Sequence, residues 1–290
     1  MNIIFADSGC DIPQEIIKKY NIKIIAIPIC VDDEVYENGE IDLKEFYQKL
    51  RNGADVKTSS LNPNFYVEIF EPYLKNGDDI IYVHFSSGVT GTFNFLKQAI
   101  DILREKYPER KINSVDTLNL TTGAGMIAYE LAKKNREGMP YQELLNWANQ
   151  NKTSYPVFFY VDNLKYLKKG GRISAATAIV GSMLQIKPLI HVTQAGKLKV
   201  IDKAMGKKKA ISSLISYVKK YGKDVSEHPV LIMHADDEQT AEEVKKQLLE
   251  NIGPNLKIKI LMVGTTIGTH CGPGTISVVF HGTQLIIEEK

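Results

Sequence analysis

The apolar run Ile80-Ile81-Tyr82-Val83 sits inside a strand pattern at Asp79 to Phe85. It passes directly into Ser86-Ser87-Gly88-Val89-Thr90-Gly91-Thr92, and helical periodicity then resumes to about Lys106. A short continuous apolar run suits a strand buried on both faces, the situation inside a parallel sheet covered by helices. The unit recurs. Asn2 to Ala6 reads as a buried strand ending at Asp7-Ser8-Gly9, and Lys111 to Val115 as another, followed by a helix around Met126 to Lys134. Strand–helix alternation of this kind predicts a three-layer α/β domain built on a parallel sheet.

Between these units, Ile22 to Val31 reads as one isoleucine-rich strand. Asp11 is expected to cap a helix with Pro13 in its first turn. Asp42 and Glu45 make a capping-box-like start for a helix carrying Phe46 and Leu50. Thr58-Ser59-Ser60 reads as a polar loop, and Asn62-Pro63 opens a helix that Gly77 closes.

After Asn149 the pattern changes. Val157 to Val161 reads as a strand, followed by a turn at Lys169 to Arg172. Leu189–Val192 and Lys197–Asp202 read as a hairpin around Ala195-Gly196. Helices of about Lys207 to Tyr221 and Glu238 to Leu249 alternate with strands at Pro229 to His234 and Lys257 to Val263. Two last strands flank Gly282. This predicts a two-layer, mixed-sheet C-terminal domain, with the chain divided into residues 1–153 and 154–290. With 290 residues, 43% of them apolar, each half can bury a core.

Composition removes several classes of function. A net charge of +2 makes nucleic acid an unexpected partner. The basic stretches Lys168-Lys169 and Lys207-Lys208-Lys209 read as solvated faces. Cys10, Cys30 and Cys271 form neither a disulfide framework nor a zinc motif. Met1 to Asp7 turns acidic too soon for a secretory signal, and no apolar run approaches a transmembrane length, so a cytoplasmic location is expected. There is no phosphate-binding loop, His-Glu-x-x-His or Gly-x-Ser-x-Gly motif. Gly123-Ala124-Gly125-Met126-Ile127-Ala128 has dinucleotide spacing. It begins several residues past its strand, where a pyrophosphate cannot use it, so it reads as helix packing. No cofactor and no metal are expected.

Three segments could carry chemistry. Ser86 to Thr92 stands at the carboxyl edge of a sheet, where open α/β folds bind ligands, and it brings glycines, hydroxyls and a helix N-terminus. It could equally be a serine-rich turn with an ordinary cap. Thr58-Ser59-Ser60 is a second hydroxyl cluster or a plain turn. His270, among Gly268, Gly272, Pro273 and Gly274, is expected on irregular backbone, as an anion donor or a solvated loop histidine. Hydroxyls and an imidazole without a carboxylate pair suit holding a carboxylate better than breaking bonds. A hydrolytic pair of Ser87 as nucleophile and His270 as base lacks an identifiable orienting acid.

Taken in order, these segments resemble the DegV family. Asp7-Ser8-Gly9-Cys10-Asp11 is similar to its Asp-Ser-x-x-Asp opening, and Thr58-Ser59-Ser60-Leu61-Asn62-Pro63 to its Thr-Ser-Gln-Pro-x-Pro loop. Ser86 to Thr92 is similar to Ser-Ser-x-Leu-Ser-Gly-Thr. Asp116-Thr117, Leu167 to Ile173, Lys187-Pro188 and the His270 segment follow in the family's order. Ser60 and Leu61 depart from the usual Gln-Pro, and Thr90 replaces a serine while keeping the hydroxyl.

The resemblance implies a non-catalytic carrier that buries one long-chain fatty acid. It implies that Thr58, Ser59, Ser87, Thr90 and His270 hold the carboxylate. It also implies that a separate ATP-dependent fatty acid kinase subunit phosphorylates the bound acid, docking at an exposed Arg172. A Ser/His esterase or acyl transferase and a lipid-dependent regulatory module are the alternatives. Ile27, Ile29 and Met183 are candidates for tunnel wall or plain core.

Overall fold

The computed structural model describes residues 1–37, 39–174 and 185–283. The N-terminal half runs β1 (Asn2–Asp7), α1 (Gln14–Tyr20), β2 (Lys23–Ile25), β3 (Ile29–Val31), β4 (Glu34–Tyr36), α2 (Leu43–Arg51), β5 (Val56–Thr58) and α3 (Pro63–Lys75). It continues through β6 (Asp79–His84), α4 (Thr92–Lys106), β7 (Ile112–Asp116), α5 (Thr121–Arg136) and α6 (Tyr141–Asn151). The C-terminal half runs β8 (Val157–Tyr160), α7 (Lys165–Lys169), β9 (Ile186–Val192), β10 (Leu198–Met205) and α8 (Gly206–Tyr221). Then come β11 (Val230–His234), α9 (Glu238–Asn251), β12 (Ile258–Met262), α10 (Thr265–Cys271) and β13 (Ile276–Val279). A division at 153/154 falls between α6 and β8. Met183 and the strand expected after Gly282 lie outside the described residues.

The first sheet has the order β2-β1-β6-β7 and is parallel throughout. Ile80, Ile81, Tyr82 and Val83 are all buried. Helices cover both faces, with α3 and α4 packing on β6 and β7 from one side and α5 and α6 on β1, β6 and β7 from the other. The Asp7 carboxylate joins two strand ends, accepting from Gly9 N at 2.9 Å and Phe85 N at 3.1 Å. Burial outweighs those hydrogen bonds and lifts its pKa to about 7.

The second sheet has the order β10-β9-β8-β13-β11-β12, with only β11 and β12 parallel. Side chains alternate between its faces as strand geometry demands. Phe158, Tyr160, Leu189, Ile232, Ile276 and Val278 pack under α8 and α9. Val157, Phe159, Ile190, Leu231, Met233 and Val279 belong instead to the core shared with the N-terminal half. The two-layer, mixed-sheet expectation therefore holds, and the uncovered face of that sheet is the domain interface.

Four local expectations are corrected. Ile22 to Val31 is two strands in different sheets: Pro28 has no N–H for a ladder, and β3 pairs antiparallel with β4 and β5 in a small third sheet. Thr58 is the last residue of β5 rather than part of a loop. Asp11 does not cap α1, whose N-cap is Pro13. It adopts φ 44° and accepts from Thr121 Oγ1 at 2.6 Å and Gly264 N at 3.1 Å. His270 lies in a helix, because Gly268 lets α10 press against Phe46 and Tyr47, and Gly272, at φ 74°, ends it.

The dinucleotide-like glycines are packing positions, as expected. A Cβ on Gly125 would overlap the Cys10 carbonyl oxygen, and one on Gly123 would meet Val157 and Asn119. Gly125→Ala should therefore push α5 off the Ser8–Cys10 turn and cost about 1–3 kcal/mol. Thermal melting checks this. An unchanged Tm would mean that α5 does not rest on that carbonyl.

Candidate functional site

The carboxyl ends of β1 and β6 face the uncovered side of the second sheet, and a cavity of about 250 Å³ lies there. Ile27, Phe85 and Leu120 line it from the N-terminal half, and Val157, Phe159, Leu198 and Ser277 from the sheet opposite. Val263, Ile267 and Cys271 close it through α10 and the residues before it. Ile27 is thus cavity wall. Ile29, fully buried in the core, does not line it.

A polar cluster also lines the cavity, comprising Thr58, Ser59, Ser60, Thr90, Arg172 and His270. Strand β5 brings Thr58 to α10, where its Oγ1 lies 3.0 Å from His270 Nε2. The imidazole lies over Gly170, where a Cβ would collide with Nδ1. That nitrogen has no hydrogen-bond partner among the described residues. Burial, and secondarily the Arg172 charge, push the His270 pKa down to about 3, so the ring is neutral near pH 7. With its proton on Nε2, His270 donates to Thr58 and leaves the threonine proton free for an anion.

The Ser86–Thr92 segment divides its labour. Ser86 is fully buried, donates to Gly196 O at 2.7 Å and accepts from Gly88 N at 3.0 Å. It fastens the β9–β10 hairpin tip to the loop. Ser87 Oγ donates to Asp116 and its side chain is not part of the cavity lining, although it borders an open groove outside. The Ser87–His270 pair that a hydrolase would need is therefore not formed. Thr90 Oγ1 lies 3.0 Å from Thr92 Oγ1 and accepts from Thr92 N at 3.2 Å, at the start of α4. A helix start adds a partial positive charge beside the cavity.

Arg172 departs from the exposed position expected for it. It is half-buried, its Nε donates to Val89 O at 3.0 Å, and its guanidinium also bonds Gly170 O. It borders both the cavity and the outer groove. Sequence reasoning missed this inward turn and the part of Gly170, and it placed Ser60 and Thr92 in its hydroxyl segments without giving either a place in the site. The double glycine before Arg172 was the available signal, since close approach of a ring to backbone needs such a residue. The basic stretches do sit at the surface, Lys169 pairing with Asp55 and Lys207 with Asp237. No helix among the described residues is long and apolar enough to cross a membrane.

The DegV family model matches residues 2–282. A DegV domain-containing protein of Clostridium perfringens is 37% identical over 97% of each chain. The chain belongs to the DegV family. A DegV family protein from Thermus thermophilus, whose structure describes fatty acid binding, has the same fold, with TM-score 0.86 at 24% identity over 98% of this chain and 99% of that one. DegV of Bacillus subtilis, described as a fatty acid binding protein, is 26% identical with TM-score 0.83, over 96% and 98% of the two chains. A fatty acid binding DegV protein from Streptococcus agalactiae is 26% identical with TM-score 0.84, again over 96% and 98%.

The depressed imidazole predicts a pH signature. A group whose folded pKa lies below its ordinary 6.5 favours the folded state while neutral. Its contribution is fully present above about pH 6.5 and is lost as the pH falls towards 3. Nitrogen chemical shifts of labelled His270 should report a neutral ring at pH 5 in the lipid-free protein. Titration near pH 6 to 7 would contradict the buried, Arg172-facing environment.

Proposed function

We propose that this DegV protein is a carrier that holds one long-chain fatty acid in the cavity between its domains. The observation that carries the reading is a cavity with apolar walls whose mouth gathers hydroxyls, a neutral imidazole and a guanidinium. The fatty acid binding described for the Bacillus subtilis and Streptococcus agalactiae relatives supports it. Thr58, Ser59 and Thr90 donate to the carboxylate in this proposal, and His270 holds it indirectly, by orienting the Thr58 hydroxyl towards it. Ser87 acts one step back by fixing the loop through Asp116. Burying a methylene contributes roughly 0.8 kcal/mol, so a long chain gains on the order of 10 kcal/mol before ordering costs. The carboxylate must then be hydrogen-bonded, or its desolvation cancels much of that gain.

Organic extracts of purified protein should contain stoichiometric fatty acid by mass spectrometry, and delipidated protein should melt lower. Thr58→Ala and His270→Ala should each weaken binding about ten- to a hundredfold in calorimetric titrations, the worth of a charge-assisted hydrogen bond. Absence of lipid, together with a melting temperature indifferent to added fatty acid, would end the carrier reading. Unchanged affinity in both folded variants would remove these residues from the site.

The proposal extends to presentation of the acid to an ATP-dependent fatty acid kinase subunit. Arg172 supports it by position, since it stands between the cavity and the outer groove, where a partner reaching the head group would meet it. At saturating fatty acid, Arg172→Ala should slow acyl-phosphate formation by the cognate kinase subunit with ATP. Normal rates across a range of carrier concentrations would rule out a docking role.

A further inference from the structure

Ser277 is a polar residue on an apolar wall. It lies in the middle of β13, opposite Phe159 on one side and Met233 on the other. Strand alternation sends its neighbours Ile276 and Val278 to the helix-covered face and turns Ser277 to the cavity. The residue is only 4% exposed, and its hydroxyl has no hydrogen-bond partner among the described residues.

The other buried hydroxyls of the cavity lining are all engaged. Thr121 donates to Asp11 at 2.6 Å, and Thr266 Oγ1 lies 2.8 Å from Ser8 Oγ. Thr275 donates to the Cys271 and Gly272 carbonyls at 3.0 Å, and Thr92 meets Thr90. These hydroxyls serve the protein's own backbone and side chains. Ser277 alone among them is left for whatever fills the cavity. A buried hydroxyl without a partner is costly, and a hydrocarbon cannot supply one.

We propose that the cavity selects acyl chains bearing a hydroxyl or oxo group along the chain, and that Ser277 is the residue that recognises it. This inference rests on the fatty acid reading above. A serine hydroxyl both donates and accepts, so it can pair with a chain hydroxyl in either sense or donate to a chain carbonyl. The carboxylate stays on the Thr58–His270 cluster, and Ser277 supplies a second polar contact from the opposite sheet. Two fixed polar points on one chain define a distance, so only hydroxyl positions at that distance from the carboxyl group gain.

The test is calorimetric titration of delipidated protein with stearate and with a series of positional hydroxystearates. At least one hydroxystearate should bind roughly three- to tenfold tighter than stearate, the worth of a neutral hydrogen bond. Ser277→Ala should abolish that preference, read as the ratio of hydroxystearate to stearate affinity within the variant, and Ser277→Thr, which restores a hydroxyl, should keep it. Stearate binding without any positional preference in the wild-type protein would overturn this inference alone, whether or not the variants fold. A preference that survives Ser277→Ala would overturn it equally. Failure of every acid to bind would overturn the carrier reading and this inference with it.

Discussion

Everything in this protein depends on one packing event, the burial of a single β-sheet face against the carboxyl edge of another sheet. Among the described residues, α8 and α9 cover one side of the C-terminal sheet. Its other side, with Phe159, Leu231 and Met233, must find apolar partners, and it finds them across the domain boundary. Hydrogen bonds also tie the junction: Tyr47 donates to Val263 O at 2.8 Å, Gly264 N to Asp11, and Ser86 to Gly196 O. The cavity is the region where that packing is incomplete. Its apolar lining and its location at the strand ends follow from the same arrangement.

The electrostatics of the cavity are weighted towards holding an anion. Arg172 brings a formal positive charge, while His270 beside it is kept neutral by burial and by that charge. The start of α4 adds its dipole at Thr90 to Thr92. No carboxylate among the described residues lines the cavity. Asp116, the nearest acid to the Ser87 loop in the hydrogen-bond network, is engaged with Ser87 and the Leu118 backbone. Among the described residues, the lining thus offers an anion a guanidinium, hydroxyls and a helix start.

Much of the architecture was legible because it rests on periodicity. Ile80 to Val83 announced a strand buried on both faces, and Val157 to Val161 announced a strand, though not that its two faces meet different cores. Local chemistry was less legible where a residue serves a distant one. Asp11 looks like a helix cap until Gly264 is beside it, and His270 looks like a loop residue until Phe46 and Tyr47 press on Gly268. Pro28 was in plain view within the isoleucine-rich run, yet its missing donor divides that run between two sheets. The direction of Arg172 was illegible for the same reason: what turns it inward is Val89, in a different half of the chain.

The contacts that build the cavity also carry a temporal order. Ser8 meets Thr266 across 258 positions, Asp11 meets Gly264 across 253, and Thr58 meets His270 across 212. Closing such long loops costs entropy that only the finished interface returns. A chain emerging from the ribosome can complete its parallel sheet well before α10 exists, since all strands of that sheet lie before residue 117. Until then Ile27, Phe85 and Leu120 have no roof, and they present an apolar surface to solvent and to other nascent chains. The cavity is thus closed only once α10 and β13 have been made, and until then its apolar wall is open to misassembly.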